Sequence, residues 1–354
     1  MLARLPRPFA WLLLAALLLA IAWCLWVTPP PVRIAHSGGY TDFHLYRDVA
    51  AAVARGEPYH RAAAALHRAH HYPLKPFFTM RLPTLVEAAA WLGWPTLQAI
   101  SVALLVANVF AWIVAFEDRL PLIERLAIGG AVAFGGSMVA DSVLTALHEQ
   151  WAGLLLSLAL ALRIRWPRSW PIAWLLAAAA LAIRELALPF VLLAATAALL
   201  RREWREFAAW AALVALFAAF MALHAHAVAA VTQPGDLASQ GWRTLAGPAA
   251  FLRAVVYTTP LQQLPLGWGR LLALLPALGW CALDWRSEAR DARISQLYLA
   301  GYALMVTLFG RADTFYWGAT IEPAYAVGYA LLPRALAQLY DALRGAPAAQ
   351  PLPA

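Results

Sequence analysis

The sequence predicts an all-α fold, a polytopic transmembrane helix bundle with about ten crossings. Of the 354 residues, 63% are hydrophobic and only 13% are charged, and the mean hydropathy of +0.63 is far above that of a soluble domain. Apolar runs long enough to span a membrane recur almost to the C-terminus. The basic residues lie in short runs between them, which is typical of topology signals. Despite the net charge of +8, we therefore expect no nucleic-acid partner.

The first apolar segment, 9–27, follows Arg4 and Arg7 and is long for a signal-peptide core. It predicts an uncleaved anchor with a cytoplasmic N-terminus, because basic residues favour the cytoplasmic side. Residues 28–75 are then an extracytoplasmic loop.

We expect a single integral-membrane domain over residues 1–344, with 28–75 and 232–268 as its two extracytoplasmic loops. The Ala- and Pro-rich residues 345–354 are predicted to be a flexible tail. Trp242, Arg243, Phe251, Arg253 and Tyr257 in the second loop could cover a site on that side.

The first loop contains an amphipathic pattern. Its apolar residues recur at helical spacing, which places them near one face: Phe43, Tyr46, Val49, Ala50 and Val53. This pattern predicts a helix that lies on the membrane surface.

Residues 76–93 decide the topology, because Arg81, Pro83 and Glu87 interrupt an apolar run that is barely long enough to span. If this segment crosses, the Arg-rich run at 163–168 falls outside, against the positive-inside tendency. We therefore predict a re-entrant or surface helix here, with the next crossing at 95–116.

This topology sorts the polar residues. Most Arg-rich runs fall on the cytoplasmic side, and the opposite side receives the other ionisable residues, which are Asp42, Asp48, Arg81, Asp141, His148, Glu149, Arg184, Glu185, His224, His226, Arg311, Asp313 and Glu322. The pattern requires short helices that turn near 148–150 and 184–185, and Pro189 fits the second break. Charge beside hydrocarbon costs several kcal/mol unless it is paired or hydrated, so this surface is a candidate site.

Asp42 has two compatible interpretations. Its carboxylate could accept a proton from a hydroxyl nucleophile at the membrane surface, or it could be the N-cap of a helix that begins at Phe43. Asp48 lies roughly 240° further around such a helix, so the two carboxylates would not share one site. We interpret Asp48 as a solvated residue.

Arg184 and Glu185 are sequence neighbours, and adjacent helical residues do not face each other. Each therefore needs a separate partner. Arg184 could pair with Glu149 or Asp141, or its guanidinium could be left free to bind a phosphate. Arg311, with Asp313 beside it, adds a second cation to the same surface.

His60, His67, His70 and His71 could share a helical face, as a zinc site would require. No carboxylate or cysteine completes a recognisable ligand pattern, so we expect no metal cofactor. His224 and His226 point about 200° apart on a helix and would not chelate together.

One segment resembles a known family. Asp42-Phe43-x-x-Tyr46, followed by an Ala-rich helix and Gly56-Glu57-Pro58-Tyr59, is similar to the first extracytoplasmic loop of GT-C superfamily glycosyltransferases, particularly the polyprenol-phosphate-mannose-dependent bacterial group. The resemblance implies an inverting transfer from a polyprenyl-phosphate-linked sugar to a glycan or lipid acceptor at the outer face of the bacterial cytoplasmic membrane.

The resemblance also implies roles for residues. Asp42 would be the base that activates the acceptor hydroxyl, and Arg184 and Arg311 would bind the donor phosphate. The remaining supporting polar surface would comprise Asp48, Arg81, His148, Glu149, Glu185, Asp313 and Glu322.

The sequence leaves two other functions open. A transporter or flippase of an envelope lipid would have repeated halves and polar breaks near the membrane midplane, and the sequence shows no repeat. A non-catalytic scaffold would use the same charges only to hold helices together.

Overall fold

A computed structural model describes residues 2–27, 39–241, 245–283 and 290–345. These residues form α-helices and short 3₁₀ turns, with no strand in the described ranges beyond one isolated bridge, Lys75 to Ala238. This agrees with the predicted all-α class. Residues 28–38, Trp242, Arg243 and 346–354, which the sequence assigned to loops and the tail, lie outside the described ranges.

The α-helices are α1 (Arg7–Trp26), α2 (Asp42–Ala54), α3 (Tyr59–Ala69), α4 (Thr84–Leu92), α5 (Trp94–Ala115), α6 (Leu122–Gly135), α7 (His148–Arg165), α8 (Trp170–Ile183), α9 (Leu188–Leu200), α10 (Trp204–Val231), α11 (Pro248–Tyr257), α12 (Leu266–Trp280), α13 (Arg290–Phe309), α14 (Glu322–Tyr325) and α15 (Val327–Arg344). The 3₁₀ segments that matter for the site are Phe77–Thr79, Glu185–Ala187 and Ala312–Thr320.

Three described helices, α1, α5 and α10, are long and apolar enough to cross a membrane. The first two fall within one or two residues of the predicted segments 9–27 and 95–116. These helices indicate a membrane protein. Helices α6, α8 and α9 have 13 or 14 residues and are therefore only about 20 Å long.

The segment 76–93 forms a 3₁₀ turn and the nine-residue helix α4. At 1.5 Å per residue, α4 is about 14 Å long, less than half the hydrocarbon thickness. Gly93, with φ of +79°, separates α4 from α5, and a left-handed conformation of this kind is open mainly to glycine. The helix is thus too short to cross alone.

Helix α7 is the centre of the bundle and is buried on nearly all sides. It packs against α5, α8, α13 and the Ala312–Thr320 turn. At Gly153 an added Cβ would lie 2.0 Å from the carbonyl oxygen of Ala319, so only glycine allows this approach. The close contact fixes the turn that carries Arg311, Asp313 and Tyr316 against the central helix.

Helix α2 is amphipathic as predicted, but its apolar face is covered by protein. Leu45, Tyr46 and Val49 are buried against α3 and α4, in one cluster with Leu85 and Val86. Burying a Leu or Val side chain contributes roughly 1.5–3 kcal/mol. The prediction that this face lies on the membrane surface is therefore wrong, because neighbouring helices of the same chain cover it.

The described part of the second predicted loop, 232–268, is about half helical. It contains α11 and a 3₁₀ turn, Pro260–Gln263, and α12 already begins at Leu266. Phe251 is buried, with its ring centroid 5.4 Å from that of Tyr325, so it packs in the core and does not cover a site.

The two groups of polar residues that the sequence assigned to opposite sides lie at opposite ends of the central helix, α7. His148 and Glu149 begin the 18-residue helix α7, and Arg163 and Arg165 end it, so that His148 and Arg165 lie about 26 Å apart along the helix. At the second end, Arg163 pairs with Glu206 at 2.6 Å and Arg165 with Asp118 at 2.6 Å. The candidate site and most of the Arg-rich runs therefore lie at opposite ends of the bundle.

Candidate functional site

A cavity of about 160 Å³ lies at the first end of the bundle. Its walls come from the start of α2, residues 72–81, the break between α8 and α9, and the turn after α13. These walls bring together residues that are far apart in sequence, namely Asp42, Arg81, Arg184, Glu185, Arg311 and Asp313. All three residues predicted to carry catalysis or phosphate binding thus line one space.

Asp42 is the first residue of α2 and not its N-cap. Thr41 has the extended backbone of the cap residue, and its backbone N–H donates to Nδ1 of His44 at 3.2 Å. The capping interpretation of Asp42 is therefore wrong, because Thr41 has that role. The carboxylate of Asp42 lines the cavity instead.

Tyr72 and His67 lie beside Asp42 in the same wall. Burial raises the pKa of the Tyr72 phenol, and the charge of Asp42 raises that pKa further. Nδ1 of His67 lies 3.0 Å from the carbonyl oxygen of Pro73. Burial lowers the pKa of His67 to about 4, so its imidazole is neutral at neutral pH.

Arg184 lines the base of the cavity and forms a buried ion pair with Glu149 behind it. Nε of Arg184 lies 2.7 Å from Oε1 of Glu149, and both residues are 1% exposed. Arg184 also contacts the carboxylate of Glu185. Its guanidinium is therefore paired twice, which favours the structural interpretation of Arg184 over a free phosphate ligand.

The contact between Arg184 and Glu185 corrects the expectation that neighbours need separate partners. Arg184 is the C-cap that follows Ile183, the last residue of α8, and its backbone is extended, with φ of −144° and ψ of 118°. Glu185 then begins a 3₁₀ turn, so the two side chains do not follow helical spacing. Asp141, the other proposed partner, is exposed and accepts a hydrogen bond from the backbone N–H of Val143.

Arg81 is the guanidinium with the loosest carboxylate contacts in the cavity. Its nitrogens lie 4.0 Å from both Glu149 and Glu185. It donates instead to two phenols, from Nε to Tyr46 at 3.0 Å and from Nη2 to Tyr316 at 3.2 Å. The tyrosines hold Arg81 against the cavity without neutralising its charge.

Arg311 and Asp313 form the mouth. The guanidinium makes a bidentate contact with the carboxylate, two hydrogen bonds of 3.0 Å. It also donates from Nη1 to the hydroxyl of Ser239 at 3.3 Å and to the carbonyl oxygen of Gly241 at 3.2 Å. Asp313 is 52% exposed at its side chain, so this pair is in contact with solvent.

The described lining carries three arginines and three carboxylates, Asp42, Glu185 and Asp313. The cavity is therefore not strongly cationic, and an anion would be bound by local geometry. Arg81 fits this requirement best, because its charge is the least directly paired.

Not every predicted member of the polar surface lies on the cavity wall. His148 is buried beneath it, its ring 4.8 Å from that of Tyr46. Asp48 accepts a hydrogen bond from Tyr40 at 2.7 Å. Glu322 is buried where α14 packs against α6, and was wrongly predicted to lie on the surface, because the turn after α13 enters the bundle interior.

The histidines do not assemble a metal site among the described residues, where no group of three metal-ligating side chains is present. Nε2 of His60 lies 3.1 Å from Nδ1 of His224, and His70 stacks on Tyr40. His224 is buried and His226 is exposed, which confirms that they point apart.

Comparisons with known proteins give no relative. No family model, curated protein or solved structure matches the chain. The site must therefore be interpreted from its own chemistry.

Sequence reasoning missed the tyrosines of the site. Tyr46 is predicted only as part of an apolar face, and the sequence pattern singles out neither Tyr72 nor Tyr316. A signal was present in Tyr46, which stands one helical turn after Asp42, at i+4, and so on the same face of α2.

Proposed function

We propose that the chain is a membrane glycosyltransferase that moves a sugar from a polyprenyl-phosphate donor to an envelope glycan or lipid acceptor. The observation that carries the proposal is the cavity itself, in which the Asp42 carboxylate faces the same space as Arg81 and Arg311. A base for one oxygen and cations for another are what transfer from a phosphate leaving group requires.

In this reaction Asp42 is the general base. It accepts the proton of the acceptor hydroxyl as that oxygen attacks the anomeric carbon of the sugar. The bond between that carbon and the phosphate oxygen breaks, and the polyprenyl phosphate leaves with the electron pair. A single displacement inverts the anomeric centre. Tyr72 lines the same cavity as Asp42, and its neutral phenol faces the acceptor site together with the carboxylate.

Arg81 stabilises the negative charge that grows on the departing phosphate, because its contacts to Glu149 and Glu185 are 4.0 Å long and leave donors available. Arg311 meets the donor at the mouth by exchanging its exposed partner Asp313 for the phosphate. Arg184 holds the floor in place through Glu149.

The membrane arrangement belongs to the same proposal. The N-terminus is cytoplasmic, about ten segments cross the bacterial inner membrane, and the cavity lies at the extracytoplasmic surface. The amphiphilic donor then keeps its prenyl chain in lipid while its phosphate and sugar reach the polar cavity. No metal is required by this scheme, since arginines supply the positive charge.

The closed floor supports a transferase over a transporter. Glu149 and Arg184 are 1% exposed at the base of the cavity, and along α7 Glu149 lies about 24 Å from Arg165 at the other end of the helix. A transporter would need a route along that length.

A donor screen tests the proposal. Purified protein in liposomes is incubated with radiolabelled polyprenyl-phosphate hexoses and a membrane extract that supplies acceptors. We expect one donor to give a labelled glycan or lipid product. Movement of labelled donor between leaflets without any glycosyl product would overturn the transferase in favour of the transporter.

A further inference from the structure

A second surface feature lies at the end of the bundle opposite the cavity, where α8 and α10 begin. A groove of about 580 Å³ is lined there by Arg168, Trp170, Trp204 and Arg205, together with Glu203 and Glu206. Trp204 is 20 residues before His224 on α10, so the groove lies about 30 Å from the cavity end.

The acidic residues of the groove are already neutralised. Glu203 pairs with Arg201 at 2.8 Å, and Glu206 pairs with Arg163 at 2.6 Å. Ion pairs of this kind remove the negative potential that would otherwise repel an anion.

The charges of Arg168 and Arg205, unlike those of the acidic residues, are not neutralised by a partner in the described ranges. Both are exposed, and neither has an ion pair or hydrogen bond to a described residue. The groove therefore presents two uncompensated guanidinium groups, which suit phosphate oxygens because each offers several donors in a planar fork.

The groove lies at the start of a candidate membrane-spanning helix, where lipid headgroups would surround it. Helix α10 is one of the three helices able to cross a membrane, and Trp204 is its first residue. The start of a span lies at headgroup level, where tryptophan is enriched. Trp204 is 62% exposed, and Ile172 and Leu175 are exposed on the adjoining helix α8.

We propose that this groove binds the headgroup of an anionic phospholipid. Arg168 and Arg205 contact the phosphate, Trp170 and Trp204 flank the glycerol region, and the acyl chains lie along the apolar outer surface of α8. Charge complementarity selects the anionic headgroup, and the aromatic and apolar residues select a lipid over a soluble anion. The proposal is independent of the transferase activity.

Native mass spectrometry of the full-length protein tests this inference. The protein in neutral detergent is titrated with dioleoylphosphatidylglycerol and, separately, with dioleoylphosphatidylcholine. We expect the first adduct of phosphatidylglycerol to form at least about tenfold more tightly than that of phosphatidylcholine, and the preference to disappear in Arg168→Gln/Arg205→Gln. Arg168→Lys/Arg205→Lys should retain most of it, because the charge is kept.

Arg61→Gln is the matched control, because Arg61 is an exposed arginine at the cavity end without a described partner. Equal loss of phosphatidylglycerol binding in this control would overturn the proposal, as would equal affinity for the two lipids. Displacement of the lipid by millimolar inorganic phosphate would also overturn it and indicate a soluble-anion site. Wild-type thermal stability in the glutamine variant confirms that any loss is not due to unfolding.

Discussion

Nε of Arg184 lies 2.7 Å from Oε1 of Glu149, in an ion pair that is almost completely buried beneath the cavity. Arg184 is the C-cap of α8 and Glu149 lies in the first turn of α7, so the pair joins two helices at the level of the site. Arg81 and Arg184 share two carboxylates, Glu149 and Glu185, so removing Glu149 leaves two buried guanidinium groups with one carboxylate and one positive charge uncompensated.

We therefore expect Glu149→Gln to lower the free energy of unfolding by about 3–5 kcal/mol. The double variant Arg184→Met/Glu149→Gln should recover part of this loss, because no lone charge then remains from the pair. Equilibrium unfolding of the purified protein in mixed micelles measures the free energy of unfolding of the single and the double variant. Glu57→Gln, which breaks the exposed pair with Arg55, should cost no more than about 1 kcal/mol. Equal effects of Glu149→Gln and Glu57→Gln would contradict a buried pair.

Among the arginines that line the cavity, Arg81 should be the one whose substitution lowers the transfer rate most. We expect Arg81→Gln to lower kcat by about 100-fold or more, because one guanidinium that stabilises the leaving phosphate is lost. Arg81→Lys should recover little, since the single nitrogen of a lysine cannot reproduce the planar spread of nitrogens from which Arg81 donates to Tyr46 and Tyr316 and reaches a phosphate. Arg61→Gln serves as the control, and an Arg81→Gln enzyme with unchanged kcat would exclude this role.

Substitutions of Arg311 and Asp313 at the mouth of the cavity should change the KM for the donor in opposite directions. Arg311→Gln should raise the KM for the donor several-fold, because its charge meets the phosphate at the entrance. Asp313→Asn should lower that KM or leave it unchanged, because the bidentate partner of Arg311 loses its charge. Steady-state kinetics with the donor varied distinguishes the two. A parallel rise of KM in both variants would indicate that the pair is only structural.

His67 makes stability depend on pH. Its pKa is about 4 in the folded protein, against an ordinary value of 6.5. Between these values the unfolded chain binds a proton that the folded protein does not, so stability is lost as the pH falls from 6.5 to 4. The loss is about 3 kcal/mol. His67→Gln should flatten this part of the stability profile, and the exposed His226→Gln should not. An unchanged profile in His67→Gln would contradict a neutral, buried imidazole.

The helices with the strongest apolar pattern were predictable from sequence. Both α1 and α5 begin and end within two residues of the predicted segments, because composition alone determines which stretches favour a hydrocarbon core. The break at Arg184 was also predictable, since two adjacent charges followed by Pro189 interrupt an apolar run.

The pairing inside the site was not predictable. The contact of Arg184 with Glu185 depends on an extended backbone at one residue, and that of Arg81 with Tyr316 joins residues 235 positions apart. The role of Thr41 as cap depends on its interaction with His44, which competes locally with the capping preference of Asp42. Helical periodicity contains none of this information, because these contacts arise from tertiary packing.

The central claim is that Asp42 is the base, and the transfer rate of Asp42→Asn tests it most directly. With the donor identified by the screen, we expect kcat at least about 100-fold below wild type. Asp48→Asn is the matched control on the same helix. It keeps an acceptor for Tyr40 and should stay within about twofold of wild type, because general-base catalysis requires a carboxylate at the reacting hydroxyl. Full transfer activity in well-folded Asp42→Asn would contradict the account.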